Sequence, residues 1–156
     1  MSTPYKSHVF IFTWEQIQQL FAACDVTTAQ GQRDHTMVLI LLHTGMRVSE
    51  LCQLRIQDIQ GSLIHIIGKA HISRDFRVTN DVSQQLAAYL NGYRRAVDSN
   101  VSSAFIDDEG QPFTPDAVSR WFSALKGRAG IEGNGLSLHA FRNTCASHLF
   151  HSHTSS

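Results

Sequence analysis

The sequence predicts a mainly α-helical domain with one small antiparallel β-sheet, an α+β arrangement. Two observations predict it. Apolar residues recur at three- and four-residue spacing through most of the chain, and a β-branched cluster is confined to residues 56–79. With 156 residues, 42% of them hydrophobic, the chain is long enough to bury one core and too short for two full domains. Thr13 followed by Gln16 forms a capping box, and Ile17, Leu20, Phe21 and Cys24 continue it at helical spacing. A loop through Ala29, Gln30 and Gly31 is expected next, leading to a helix from His35 to Thr44. That helix is apolar on every side and closed by Gly45, as a buried central helix should be. A further helix starts almost at once over 46–54, with Arg47 at the junction.

From Ile56 the composition changes. Ile59, Leu63, Ile64, Ile66 and Ile67 flank the turn Gly61-Ser62, and 74–79 read as another strand, so a small antiparallel sheet is expected over 56–79. Val82, Leu86, Tyr89, Leu90, Tyr93 and Val97 predict an amphipathic helix over 81–97. Ala104-Phe-Ile106 reads as a brief extended segment before the turn Asp107-Asp-Glu-Gly110. Thr114-Pro115 is a helix start, with Val118, Trp121, Phe122 and Leu125 behind it. Gly130 to Gly135 breaks the chain, and Ser137 is expected to cap a last helix through Leu138, Phe141, Cys145 and Leu149. The domain is expected over 13–150, with tails at 1–12 and 151–156.

Composition excludes several classes. The longest apolar stretch, Met37 to Leu42, is far short of the roughly 20 residues a bilayer span needs, and no basic-then-apolar leader opens the chain. No membrane partner is expected. Cys24, Cys52 and Cys145 are odd in number and set in apolar helical contexts, which suits reduced buried thiols in the cytoplasm. Thirteen basic side chains cancel thirteen acidic ones, so any anion site must be local.

Three pieces carry candidate chemistry: Thr44-Gly-Met-Arg-Val-Ser-Glu50 at the helix junction, Gly68-Lys69 in the sheet, and His139-Ala-Phe-Arg142 on the last helix. Each alone has a plain structural reading. Arg47 could pair with a carboxylate such as Asp58, Gly68-Lys69 could be a turn with a solvated lysine, and His139 and Arg142 share one helix face as many surface pairs do. Together and in this order they resemble the tyrosine recombinases, the phage-type integrases, from about Thr13 to Leu149. The stretch from Thr44 to Asp58 is similar to that family's first arginine box. Ile66-Ile-Gly-Lys69 with Arg74 is similar to its hairpin lysine, and Leu138-His-Ala-Phe-Arg142 to its second box.

The resemblance implies DNA strand cleavage and rejoining through a 3′-phosphotyrosine on double-stranded DNA. The physical logic agrees, because the pentacoordinate phosphoryl transition state is strongly anionic and needs preorganised cations. Arg47 and Arg142, planar and permanently charged, are the expected clamp. Lys69 would protonate the departing 5′ oxygen, and His139 would orient a phosphate oxygen. Glu50 would support the site, and Arg74 and Arg77 would touch the DNA backbone, a solvated strand face being the alternative for both. The family also implies tetramer assembly of a full-length parent, a bacterial or phage origin and cytoplasmic action, with no cofactor and no metal.

The resemblance stops short at the nucleophile. The fourteen positions after Arg142 hold neither tyrosine nor tryptophan, and Tyr5, Tyr89 and Tyr93 all precede the second box. Asn143 stands where the family usually has histidine, and the family's amino-terminal clamping domain has no counterpart here. The expectation is a catalytic domain cut at both ends and inactive alone. Rival readings are a non-catalytic DNA-binding fragment, whose neutral charge argues for weak binding, and a metal site at His148, His151 and His153, against which a frayed polar end is the plainer reading. A metal-dependent nuclease built on Asp107-Asp108-Glu109 is less economical than a turn there. His35, His43 and His65 are expected as half-buried structural residues.

Overall fold

The computed structural model describes residues 10–68, 72–131 and 136–145. The described residues form six α-helices and three short strands: α1 Trp14–Ala22, α2 Ala29–Thr44, α3 Val48–Gln53, β1 Ile59–Gln60, β2 Leu63–Ile67, β3 Ser73–Arg77, α4 Asn80–Ala88, α5 Pro115–Ala129 and α6 His139–Thr144. The sheet is antiparallel in the order β1-β2-β3, with Ile64 opposite Phe76 and Ile66 opposite Arg74.

Local chemistry accounts for most boundaries. Thr13 accepts from the Gln16 amide at 3.1 Å while the Gln16 side chain takes the Thr13 N–H at 2.8 Å, so both arms of the capping box form. Thr114 caps α5 with a single bond, its side chain accepting from the Ala117 amide, and Pro115 is the first residue. The core runs around α2. Met37, Val38, Ile40, Leu41 and Leu42 of that helix are fully buried, as expected for an element apolar on every side. Phe12, Phe122 and Phe141 pack as an aromatic trio that joins the chain start, α5 and α6.

Four boundaries depart from expectation. Helix α2 begins at Ala29, where a loop was expected, because Thr28 caps the Gly31 amide. Gly31 is a close-approach residue there, since a Cβ would lie 1.6 Å from the Asp25 carbonyl oxygen. The sheet begins at Ile59, because Ile56–Asp58 wind into a 3₁₀ turn closed by Arg55 on Asp58. Helix α4 does not run to Val97. It passes into a π turn over Tyr89–Tyr93 and leaves the helix at Arg94, whose guanidinium holds the carbonyls of Val101 and Ser103 at 2.6 and 2.7 Å. Ser137 does not cap α6 through its side chain. Leu138 occupies the cap position and Ser137 offers only its carbonyl to the Ala140 N–H. The expected extension of that helix to Leu149 lies outside the described residues.

Two features fix the ends of α2. At its start, the buried Asp34 carboxylate accepts from Arg33 at 2.7 and 3.0 Å and from the Trp121 indole at 2.8 Å, with Arg128 at 3.5 Å. Arg33 also holds the Ile106 carbonyl and the Asp108 carboxylate, which ties α2 to α5 and to the 106–108 segment. At its end, Gly45 turns left-handed at φ 65, and a Cβ there would sit 3.4 Å from the Cys145 Cβ and 3.7 Å from the Arg142 Cα.

Asp34→Asn leaves Arg33 buried without its full counter-charge, and is expected to lower unfolding free energy by roughly 3 kcal/mol in urea titration; a loss under about 1 kcal/mol would contradict the role given to the network. Gly45→Ala is expected to cost about 1–2 kcal/mol from the left-handed backbone. An unchanged melting temperature in that variant would show that the turn is not held as described.

Candidate functional site

The first arginine owes its position to the turn before it. Gly45 ends α2, Met46 is buried beneath the junction, and Arg47 takes an extended conformation at the cap of α3. The Arg47 N–H donates to Glu50 Oε1 at 2.8 Å. Arginine has no acceptor, so only this arm of a capping box exists, and the guanidinium is left to solvent. It is exposed and has no hydrogen-bond or ion-pair partner among the described residues. Asp58, the plain structural partner considered for Arg47, belongs to Arg55 instead.

Glu50 is 6% exposed. Besides the Arg47 amide it accepts from Arg74 Nη1, which lies 2.9 Å from both carboxylate oxygens. The Arg74 guanidinium rests 4.8 Å from the centre of the Phe76 ring. Arg77, three residues along β3, is exposed. The two arginines expected to act alike therefore stand in different surroundings. Sequence reading missed the Glu50–Arg74 pair, although the strand's alternation contained the signal: 74 and 76 share one face, and Phe76 is buried. On the other face His65 Nδ1 pairs with Asp75 Oδ1, so His65 is, as expected, a half-buried structural residue, with a carboxylate partner. Lys69 lies outside the described residues. The Gly68 amide donates to the Ile72 carbonyl at 2.7 Å.

The second box lies on α6. His139 is its first residue and is exposed, and Arg142, three positions on, is half-buried with no hydrogen-bond or ion-pair partner among the described residues. The opposite side of α6 is anchored: Thr144 Oγ1 accepts from the Phe12 amide at 2.8 Å and donates to the Ala140 carbonyl at 2.7 Å. Asn143 donates to the Phe10 carbonyl at 3.1 Å. The structure thus brings together the backbones that carry Arg47 and Arg142, because Gly45, two residues before Arg47, lies against the Arg142 backbone.

The remaining candidates separate from this site. Tyr89 is 1% exposed and stacked on Phe105, and burial pushes its hydroxyl pKa up to about 12. Tyr93 is half-buried and Tyr5 lies outside the described residues. Asp107 Oδ1 accepts the Glu109 and Gln111 amides at 2.9 Å each, so this carboxylate closes a turn. No group of His, Cys, Asp and Glu with metal-ligand geometry occurs among the described residues; His148, His151 and His153 lie outside them. Burial raises the thiol pKa values of Cys24 to about 12 and of Cys52 to about 11, and raises that of Cys145. His35 packs on Phe21 with ring centres 4.8 Å apart, and burial lowers its pKa. Among the described residues no helix is long and apolar enough to cross a membrane.

A cleft of about 740 Å³ opens at the far end of α2, lined among others by Arg33, Asp34, Asp108, Trp121 and Arg128. It does not include Arg47, His139 or Arg142.

Comparisons with known proteins agree with the geometry. The chain is 31% identical over 141 residues to the tyrosine recombinase XerC of Anoxybacillus flavithermus, covering 86% of this chain and 47% of that protein. It is 29% identical over 143 residues to XerC of Chlamydia pneumoniae, covering 90% of this chain and 46% of that protein. The chain thus spans about half the length of the curated relatives it matches. Its fold is shared with the XerA recombinase at TM-score 0.79 and 23% identity, over 92% of this chain and 51% of that one. It is shared also with the lambda integrase catalytic core at TM-score 0.67 and 16% identity, over 87% and 84% of the two chains. The phage integrase family pattern matches residues 11–155. A pattern that spans both arginine boxes and the elements between them places this chain in the phage integrase family.

Proposed function

We propose that the chain is the DNA-facing catalytic portion of a site-specific tyrosine recombinase, with the functional domain over about 13–150. The supporting observation is the pair of guanidinium groups, Arg47 and Arg142, that have no hydrogen-bond or ion-pair partner among the described residues and whose backbones approach through Gly45. Two permanent cations that hold no carboxylate among the described residues are available to an anion, and a phosphodiester in duplex DNA supplies one. The XerH recombinase, whose fold this chain shares at TM-score 0.72 and 20% identity, has been crystallised bound to its difH substrate in a pre-cleavage complex.

In this reading Arg47 and Arg142 grip the non-bridging oxygens of the scissile phosphate and stabilise the added charge of the pentacoordinate state. His139, on the same helix as Arg142, orients one oxygen or moves a proton at the nucleophile. Lys69 donates the proton that lets the 5′ oxygen depart. Glu50 holds the start of α3, and Arg77 meets the DNA backbone. No tyrosine of these 156 residues is assigned as the nucleophile, since none follows Arg142 and Tyr89 is buried away from the two arginines. Phosphotyrosine formation exchanges one phosphodiester for another, so rejoining needs no cofactor. The full-length parent assembles as a tetramer on DNA in a bacterial or phage-infected cytoplasm, as part of a mobile element or a resolution system. A second reading, DNA binding without cleavage, keeps the same two arginines for the phosphate, and the zero net charge implies that such binding is weak.

Arg47→Ala and Arg142→Ala are each expected to weaken vanadate or sulfate binding by roughly tenfold or more, as calorimetry would show. Unchanged binding in both would remove the clamp. A suicide duplex incubated with the 156-residue polypeptide is expected to yield no covalent adduct; an adduct mapped to Tyr89 or Tyr93 would overturn the assignment of the nucleophile.

A further inference from the structure

Arg74 and Arg77 lie on one short strand and look interchangeable in sequence, but the strand puts them to different uses. In β3 successive side chains point to opposite faces. Positions 74 and 76 share the inner face, opposite Ile66 and Ile64 of β2, and Phe76, Ile64 and Ile66 are all buried. Positions 73, 75 and 77 share the exposed face. The Arg74 side chain therefore leaves the sheet on the protein side. Its Nη1 reaches both oxygens of the Glu50 carboxylate at 2.9 Å while its plane lies over the Phe76 ring.

Glu50 has no access to water sufficient to solvate its charge, and Arg74 is its ion-pair partner. The same carboxylate holds the Arg47 amide. One buried acid thus joins two elements that are distant in sequence, the start of α3 and the hairpin formed by β2 and β3. We propose that Arg74 is a positioning residue for the anion site rather than a DNA contact: through Glu50 it fixes the backbone of Arg47 against the hairpin. This inference rests on the recombinase reading for its purpose, though not for its geometry. An arginine already neutralised by a buried carboxylate adds little to phosphate neutralisation, whereas Arg77, exposed on the outer face, keeps its full charge for the duplex.

The test uses the 156-residue chain in three measurements. In amide hydrogen exchange without DNA, Arg74→Ala is expected to speed exchange at the Arg47 amide about tenfold, and Arg74→Lys, which keeps a cation within reach, to stay within about threefold of the parent. Vanadate affinity is expected to fall about fivefold in Arg74→Ala and to recover in Arg74→Lys, whereas Val78→Ala, which destabilises the sheet without touching Glu50, leaves it unchanged. In plots of log duplex affinity against log salt, Arg77→Ala is expected to reduce the slope by about 0.9 and Arg74→Ala to leave it at the parent value. Unchanged protection of the Arg47 amide in Arg74→Ala, or a slope loss equal to that of Arg77→Ala, overturns the assignment. If the parent binds no duplex at any salt concentration, the recombinase reading fails and the exchange experiment alone decides the role of Arg74.

Discussion

The close approach of Gly45 to α6 is the constraint on which the candidate site depends. A left-handed residue is needed to end α2 and start α3 within three positions, and glycine adopts that conformation without a Cβ penalty. The turn so formed lies against Cys145 and Arg142, where a Cβ would make ordinary van der Waals contact at 3.4 to 3.7 Å, so the backbone conformation and not a lack of space calls for glycine. Turn and contact act on one geometry: Arg47 emerges at the cap of α3 beside the helix that carries His139 and Arg142. The far side of α6 is held by Thr144 on Phe12 and by Phe141 within the aromatic trio, so the core sets the helix from beneath while the glycine sets it from the side.

Buried carboxylates then brace the two ends of the central helix. Asp34 at the start gathers Arg33, Arg128 and the Trp121 indole. Glu50, just beyond the end, gathers the Arg47 amide and Arg74. In each case removal of one partner strands a charge where water cannot reach it, so the arrangement resists partial rearrangement more than it adds to stability. The arginines divide accordingly. Arg33, Arg55, Arg74 and Arg94 hold carboxylates or carbonyls of the protein, and Arg47 and Arg142 hold none among the described residues. Zero net charge is compatible with an anion site because that site requires a few uncommitted cations in one place, not a basic surface.

Much of the fold was legible because its signals are local. The Thr13 and Thr114 caps, the Gly45 stop and the β-branched hairpin each act within a few residues, and each appears where the sequence implies. The misreadings share a different cause. Gly31 looks like a loop residue until the Asp25 carbonyl is found against it. The periodicity through Tyr93 says nothing of Arg94 reaching for Val101 and Ser103, which ends the helix. Ser137 has the chemistry of a cap, but Leu138 takes the position. For the proposed site, Arg47, His139 and Arg142 were nominated by the resemblance of the two boxes, while the inward direction of Arg74 needed the sheet register to be known. Lys69 rests on the sequence resemblance alone.

A crystal structure of the chain soaked with orthovanadate tests the central claim most directly, namely that Gly45 unites the two arginine boxes into one anion site. The account predicts a single anion held by the guanidinium groups of both Arg47 and Arg142, with the Gly45 turn and the Glu50–Arg74 pair unchanged. An anion that touches only one of these arginines, or that settles instead beside Arg128 in the cleft at the far end of α2, would contradict it.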